Sequence, residues 1–228
     1  MTRGFKLIGL LMGTALLGTI GLGAADTQPP MIQVETPQEG ASYLLNEPIQ
    51  VQWSAQDIFP GSGLKAALAT QASGADLETG TPGDHIFTVL AEDNAGNQTQ
   101  TQIRYWVVYD VVIEKPLAPS AFEDSTPPEM ALPVGTEIPF SFAVRDYFER
   151  PVKSASGTVS VLNAETREII YIGEDAVGIL RYDAETDAFD YTLDTGPLNA
   201  DEYQVLVQFN DGRTIFRIDL TLEPSESS

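Results

Sequence analysis

The chain has 228 residues, no cysteine, and 33 acidic against 12 basic side chains, for a formal net charge of −21. That balance excludes a phosphate-reading surface for nucleic acid or anionic lipid, since both need clustered Lys and Arg. The missing thiol excludes disulfide staples, thiol catalysis and cysteine-ligated metal.

Residues 1–25 read as an export signal. Arg3 and Lys6 make a short positive start, an apolar stretch runs from Leu7 to Ala24, and Gly23 and Ala25 stand at −3 and −1 of a cleavage point before Asp26. The alternative is a retained anchor, because an apolar run of that length can span a bilayer. Gly9, Gly13, Gly18 and Gly21 weaken a stable spanning helix. No cysteine follows the apolar run, so a lipid-anchored lipoprotein is excluded. Removal of the segment takes Arg3 and Lys6 with it and leaves the mature chain still more acidic.

After Pro30 the chain reads as strand and turn throughout. Short runs rich in Val, Ile, Tyr, Phe and Thr at 49–53, 85–91, 101–109, 138–144, 158–162, 203–209 and 214–222 are bounded by Gly, Pro, Asn and Asp. In the last run Phe216, Ile218, Leu220 and Leu222 share one face while Arg217, Asp219 and Thr221 share the other, the period-2 pattern of a strand wetted on one side. The expected fold is all-β: two tandem β-sandwich domains after the signal segment. The expected divisions are 26–110 for the first sandwich and 111–132 for a Pro-rich connector, of which 111–115 could be the first strand of the second domain. A second sandwich at 133–223 and a polar tail at 224–228 follow. Pro116, Pro119, Pro127 and Pro128 stiffen the connector and remove ladder donors.

Several local patterns carry specific expectations. Asn210-Asp211-Gly212 is a hairpin turn signal, and Leu198 followed by Tyr203 matches a tyrosine corner. Tyr147-Phe148 is an exposed aromatic pair, whereas Trp53 and Trp106 sit in strands that favour burial. His85 is the only histidine, with no nucleophile and orienting partner in a recognisable arrangement, and is expected to be structural. Asp57 and Asp93 each close a strand. Asp57, Glu92, Asp93 and Asn97 offer the hard oxygens that calcium prefers, without the ligand ladder of an EF-hand. The alternative for 93–97 is a plain turn, since Gly96 and the asparagines tolerate positive φ. No catalytic residues, required cofactor or phosphate-cradling loop are read from the chain.

Two resemblances add to this. The run Ala91-Glu92-Asp93-Asn94-Ala95-Gly96-Asn97, with Thr36-Pro37, Trp53-Ser54-Ala55-Gln56-Asp57 and Gly83-Asp84-His85-Ile86-Phe87-Thr88-Val89, resembles the bacterial Ig-like domains of surface and secreted proteins over about 30–110. Many members carry two cysteines that would fall at Ala55 and Ala67, both alanine here. Residues from about 111 to 223 resemble the PxKF domain of exported proteins, through Pro139-Phe140-Ser141-Phe142, Leu180-Arg181-Tyr182-Asp183, Tyr191-Thr192-Leu193-Asp194-Thr195 and Asp211-Gly212, with serine at the position of the motif lysine. These resemblances imply an exported, non-catalytic binding or spacer module whose partner is an envelope protein or glycan, with no membrane contact after signal cleavage. Adhesin-like and carbohydrate-binding roles are the alternatives.

Overall fold

The computed structural model describes residues 26–116, 128–170 and 178–225. The expected signal segment, residues 117–127 of the expected connector, residues 171–177 and the last three residues lie outside the described residues. Among the described residues the chain is all strand and turn, with no helix, and no helix is long and apolar enough to cross a membrane.

The first sandwich holds β1 (Met31–Thr36), β2 (Ser42–Leu44), β3 (Gln52–Gln56), β4 (Leu64–Ala69), β5 (Gly83–Asp93) and β6 (Gln98–Val108). One sheet pairs β1 with β3. Residues 74–77 lie beside the run into β3, through Val51 N to Ala75 O (2.8 Å) and Leu77 N to Ile49 O (2.7 Å). The facing sheet has the order β2-β6-β5-β4, with β2 parallel to β6. Pro37 and Gly40, the latter at φ +76°, carry the chain from β1 in one sheet to β2 in the other. Alternation along β5 sends Phe87, Val89, Ala91 and Asp93 inward, where Phe87 and Val89 join Val51, Tyr105 and Val107 in the core. Burial pushes the Tyr105 phenol up to about 12, and its hydroxyl donates to Glu78 O at 2.9 Å.

The second sandwich begins without a spacer. Tyr109 alone separates β6 from β7 (Asp110–Lys115), which pairs antiparallel with β9 (Glu137–Arg145). Between them in sequence, β8 (Glu129–Pro133) runs parallel to β16 (Ile215–Glu223). Both described ends of the segment expected to be a connector are therefore strands of the second sandwich. The remaining strands are β10 (Gly157–Asn163), β11 (Ile169–Ile170), β12 (Gly178–Ile179), β13 (Arg181–Asp183), β14 (Ala188–Asp194) and β15 (Glu202–Phe209). One sheet has the order β13-β14-β9-β7; the other runs β10-β15-β16-β8, with β11 and β12 on the outer side of β10. Phe140, Phe142, Phe189, Phe209, Ile218 and Leu220 fill the space between. The tyrosine corner forms as expected, Tyr203 donating its hydroxyl to Asn199 O at 3.1 Å. The 210–212 turn forms too, with Gly212 at φ +77° and Phe209 N donating to Thr214 O at 3.0 Å.

The two sandwiches meet end to end through polar contacts contributed by two loops of the second. The 210–213 hairpin supplies Asp211, fully buried, whose carboxylate accepts from the Tyr109 amide at 3.0 Å, and Asn210, which accepts from the Tyr109 hydroxyl at 3.1 Å. Arg213 lays its guanidinium 3.8 Å from the centre of the Trp106 ring and donates to Gly40 O (3.2 Å) and Ser42 Oγ (2.9 Å). The 146–150 loop supplies Asp146, which accepts from Asn46 Nδ2 at 2.9 Å, and the Tyr147 amide, which donates to Leu45 O at 2.9 Å. Burial pushes the Asp146 carboxyl up, but hydrogen bonds from Arg150, Asn46 and the Arg150 and Phe148 amides outweigh it and hold it at about 2. The same loop presents Tyr147 and Phe148 to solvent, edge to face at 5.2 Å. The larger buried apolar side chains of both sandwiches belong to one connected cluster.

Candidate cation site

At the end of the first sandwich away from the joint, three carboxylates converge. Asp26, Asp57 and Asp93 each offer an oxygen, and these oxygens lie within 4.8 Å of one another. Each is held by the local chain. Asp93 is the last inward residue of β5, fully buried, and accepts from the Asn97 amide and from Asn97 Nδ2, both at 2.8 Å. Asp57 accepts from the Ile58 amide (2.8 Å) and the Gly63 amide (2.5 Å), folding the 57–63 loop around its own carboxylate. Gly61 makes that fold-back feasible, since a Cβ there would stand 2.4 Å from Asp57 Oδ2. Asp26 accepts from the Gln28 and Ser62 amides, at 3.0 and 2.8 Å, and these bonds hold its carboxyl below the usual range.

The structure brings together Asp57 and Asp93 of the four expected ligands and adds Asp26. Glu92 is elsewhere: it precedes Asp93 on β5, so alternation turns it to the opposite face. There it pairs with Lys65 Nζ at 2.6 Å, and the lysine lowers its pKa. Asn97 is adjacent to the cluster but works as a clamp. Its side-chain nitrogen reaches Asp93 and also the carbonyls of Asp26 (3.2 Å) and Gln28 (3.4 Å), tying the N-terminal segment to the β5–β6 turn. Three like charges this close repel, and a hard divalent cation is the ligand that converts repulsion into attraction.

His85 is placed structurally. Its ring stacks on Tyr105 at 5.1 Å and its Nε2 lies 2.8 Å from Thr81 O. The two tryptophans are also engaged: Trp53 Nε1 donates to Gln71 O at 3.1 Å, and the Trp106 face is covered by Arg213.

No family model matches the chain, and no curated protein matches it. Among solved structures, the fibronectin(III)-like modules of Clostridium thermocellum CbhA are similar at 10% identity over 87% of this chain and 97% of that one, with a TM-score of 0.30. Domains 1–6 of the surface layer protein SbsC are similar at 9% identity over 90% of this chain and 29% of that one (TM-score 0.30). A tetra-tandem repeat from the extending region of a large adhesion protein follows at 13% identity over 86% and 49% (TM-score 0.28). At these scores the fold assignment rests on the strand order itself.

Proposed function

We propose that this chain is an exported, non-catalytic β-sandwich module that spaces or binds at the cell envelope, related to the bacterial Ig-like and PxKF modules of exported proteins. The observation that carries the reading is the end-to-end fusion of two sandwiches without a linker, which gives a fixed span with its two described termini at opposite ends. Side chains suited to chemistry are spent on holding loops: His85 on Thr81 and Tyr105, Asp146 on its own loop and Asn46, Asp211 on Tyr109. Cell fractionation with N-terminal sequencing tests it. Recovery in the exported fraction with Asp26 as the first residue is the expected result; a cytosolic protein that retains Met1 refutes it.

The second element of the reading is a calcium ion at Asp26, Asp57 and Asp93 that stabilises the free end of the first sandwich. Calcium at about 100-fold over its Kd adds about 2.7 kcal/mol to folding by mass action. The melting temperature should rise with millimolar calcium, fall back with chelator, and stop responding in Asp93→Ala. A wild-type melting temperature indifferent to calcium ends the claim.

An adhesin-like alternative is favoured by one feature, the outer edge of β4. Among the described residues that strand pairs on one side only and leaves Leu68 70% exposed beside Leu90, offering an edge to a partner strand.

A further inference from the structure

Strand order and strand direction together say how the chain meets a pulling force. In the first sandwich β1 and β2 both run from the free end toward the joint, and so does β6. Asn97 and Thr99, at the start of β6, hold Asp26 O and Pro30 O, while Tyr109 at its other end touches the second sandwich. The first strands and the last strand are thus neighbours running the same way. Gly40 N to Arg104 O (2.8 Å), Trp106 N to Ala41 O (2.9 Å) and Leu45 N to Val108 O (2.8 Å) extend the β2–β6 ladder on both sides of its register pairs.

The second sandwich repeats the arrangement with different strands. β7 leaves the joint at Asp110, and β16 leaves it from the 210–213 hairpin and ends at Glu223, the far end. β8 lies parallel to β16 over Glu129–Pro133, from Asp219↔Glu129 to Glu223↔Pro133. Asp219 N to Pro128 O (3.0 Å) and Val134 N to Glu223 O (2.9 Å) bracket it.

Adjacent parallel strands pulled from their outer ends slide past each other, so all of the hydrogen bonds between them carry the load at once. An antiparallel hairpin pulled at its open end yields one bond at a time. Tension entering at Asp26 and leaving after Glu223 therefore meets sliding geometry in both sandwiches. Between them it passes through Tyr109, where Asp211, Arg213 and Asp146 keep the joint from acting as a swivel.

We propose that the chain is a load-bearing strut, built to withstand tension along its length; this rests on the spacer reading and gives it a mechanical content. In that role the load passes from a partner bound non-covalently at the Asp26 end of the first sandwich to one held at the Glu223 end of the second, and the sandwiches resist by strand direction rather than by disulfides, of which the chain has none.

The absence of cysteine makes the test direct, because introduced thiols are unique handles. Single-molecule pulling through Gln28→Cys and Ser225→Cys loads the chain lengthwise. Pulling through Glu202→Cys and Thr221→Cys, paired across the open end of the β15–β16 hairpin, loads it crosswise. Both pairs are at exposed positions. Forced unfolding reads the barrier along the chosen direction. The expected result is a lengthwise unfolding force several-fold above the crosswise one; a lengthwise force equal to or below the crosswise one overturns the strut. That failure is separate from failure of the export reading, which fractionation decides without reference to force.

Discussion

Replacing Asp211 by alanine is expected to cost about 3 kcal/mol of folding stability and to loosen the joint between the sandwiches. The carboxylate is fully buried and accepts four hydrogen bonds: from the Tyr109 amide (3.0 Å), the Arg213 amide (3.0 Å), the Thr214 amide (2.8 Å) and Thr214 Oγ1 (2.5 Å). A buried donor left without an acceptor costs about 1–3 kcal/mol, and alanine orphans several, with water able to reach some of them. Asparagine is nearly isosteric but turns one acceptor into a donor facing donors, so Asp211→Asn should recover little. Urea unfolding measures the loss, and small-angle scattering measures the joint. An alanine variant within about 0.5 kcal/mol of wild type, the range of ordinary surface substitutions, would show that Asp211 is only a turn residue.

Phe142→Ala should be at least as damaging, at about 3–5 kcal/mol, the range for a buried phenylalanine truncated in a packed core. Phe142 is wholly buried on β9, with ring centroids of Phe140, Phe209 and Phe216 at 6.3, 5.7 and 5.7 Å, so both sheets lose contacts when it goes. The chain offers a way to see whether that loss is local. Trp106 is covered by Arg213 of the second sandwich, but Trp53 is held within the first by Gln71 O, so in a Trp106→Phe background the remaining emission reports on the domain that was not truncated. With the joint buried and the apolar cluster continuous, the tryptophan and circular-dichroism midpoints should fall together. A tryptophan transition that stays at the wild-type midpoint would make the sandwiches independent folding units.

The fold was legible where one strand carries its own pattern. Phe87, Val89, Ala91 and Asp93 alternate with polar residues, and Phe209–Asn210–Asp211–Gly212 names its own turn. β8 was not legible, because five residues ending in proline carry little pattern and their partner β16 is distant in sequence. The same holds at the candidate site. Parity along β5 was enough to turn Glu92 away from Asp93, since Asp93 shares the phase of Phe87. No local cue marks Asp26, which joins the cluster through the Ser62 amide and the Asn97 side chain, contacts that exist only after folding. Asp211 read as a turn former for a similar reason: what makes it central is Tyr109, from the other sandwich.

Tyr109 also bears on inheritance. It closes the last strand of one sandwich, gives its amide to a buried carboxylate of the other, and leaves no dispensable residue on either side. Recombination that moved either sandwich alone into a new gene would strand Asp211 and Arg213 without Tyr109 and Trp106, or leave Leu45 O without the Tyr147 amide. In lineages that duplicate and shuffle β-sandwich modules freely, these two are expected to be copied, lost and transferred as a pair, with breakpoints outside residues 26–223 and none at the seam.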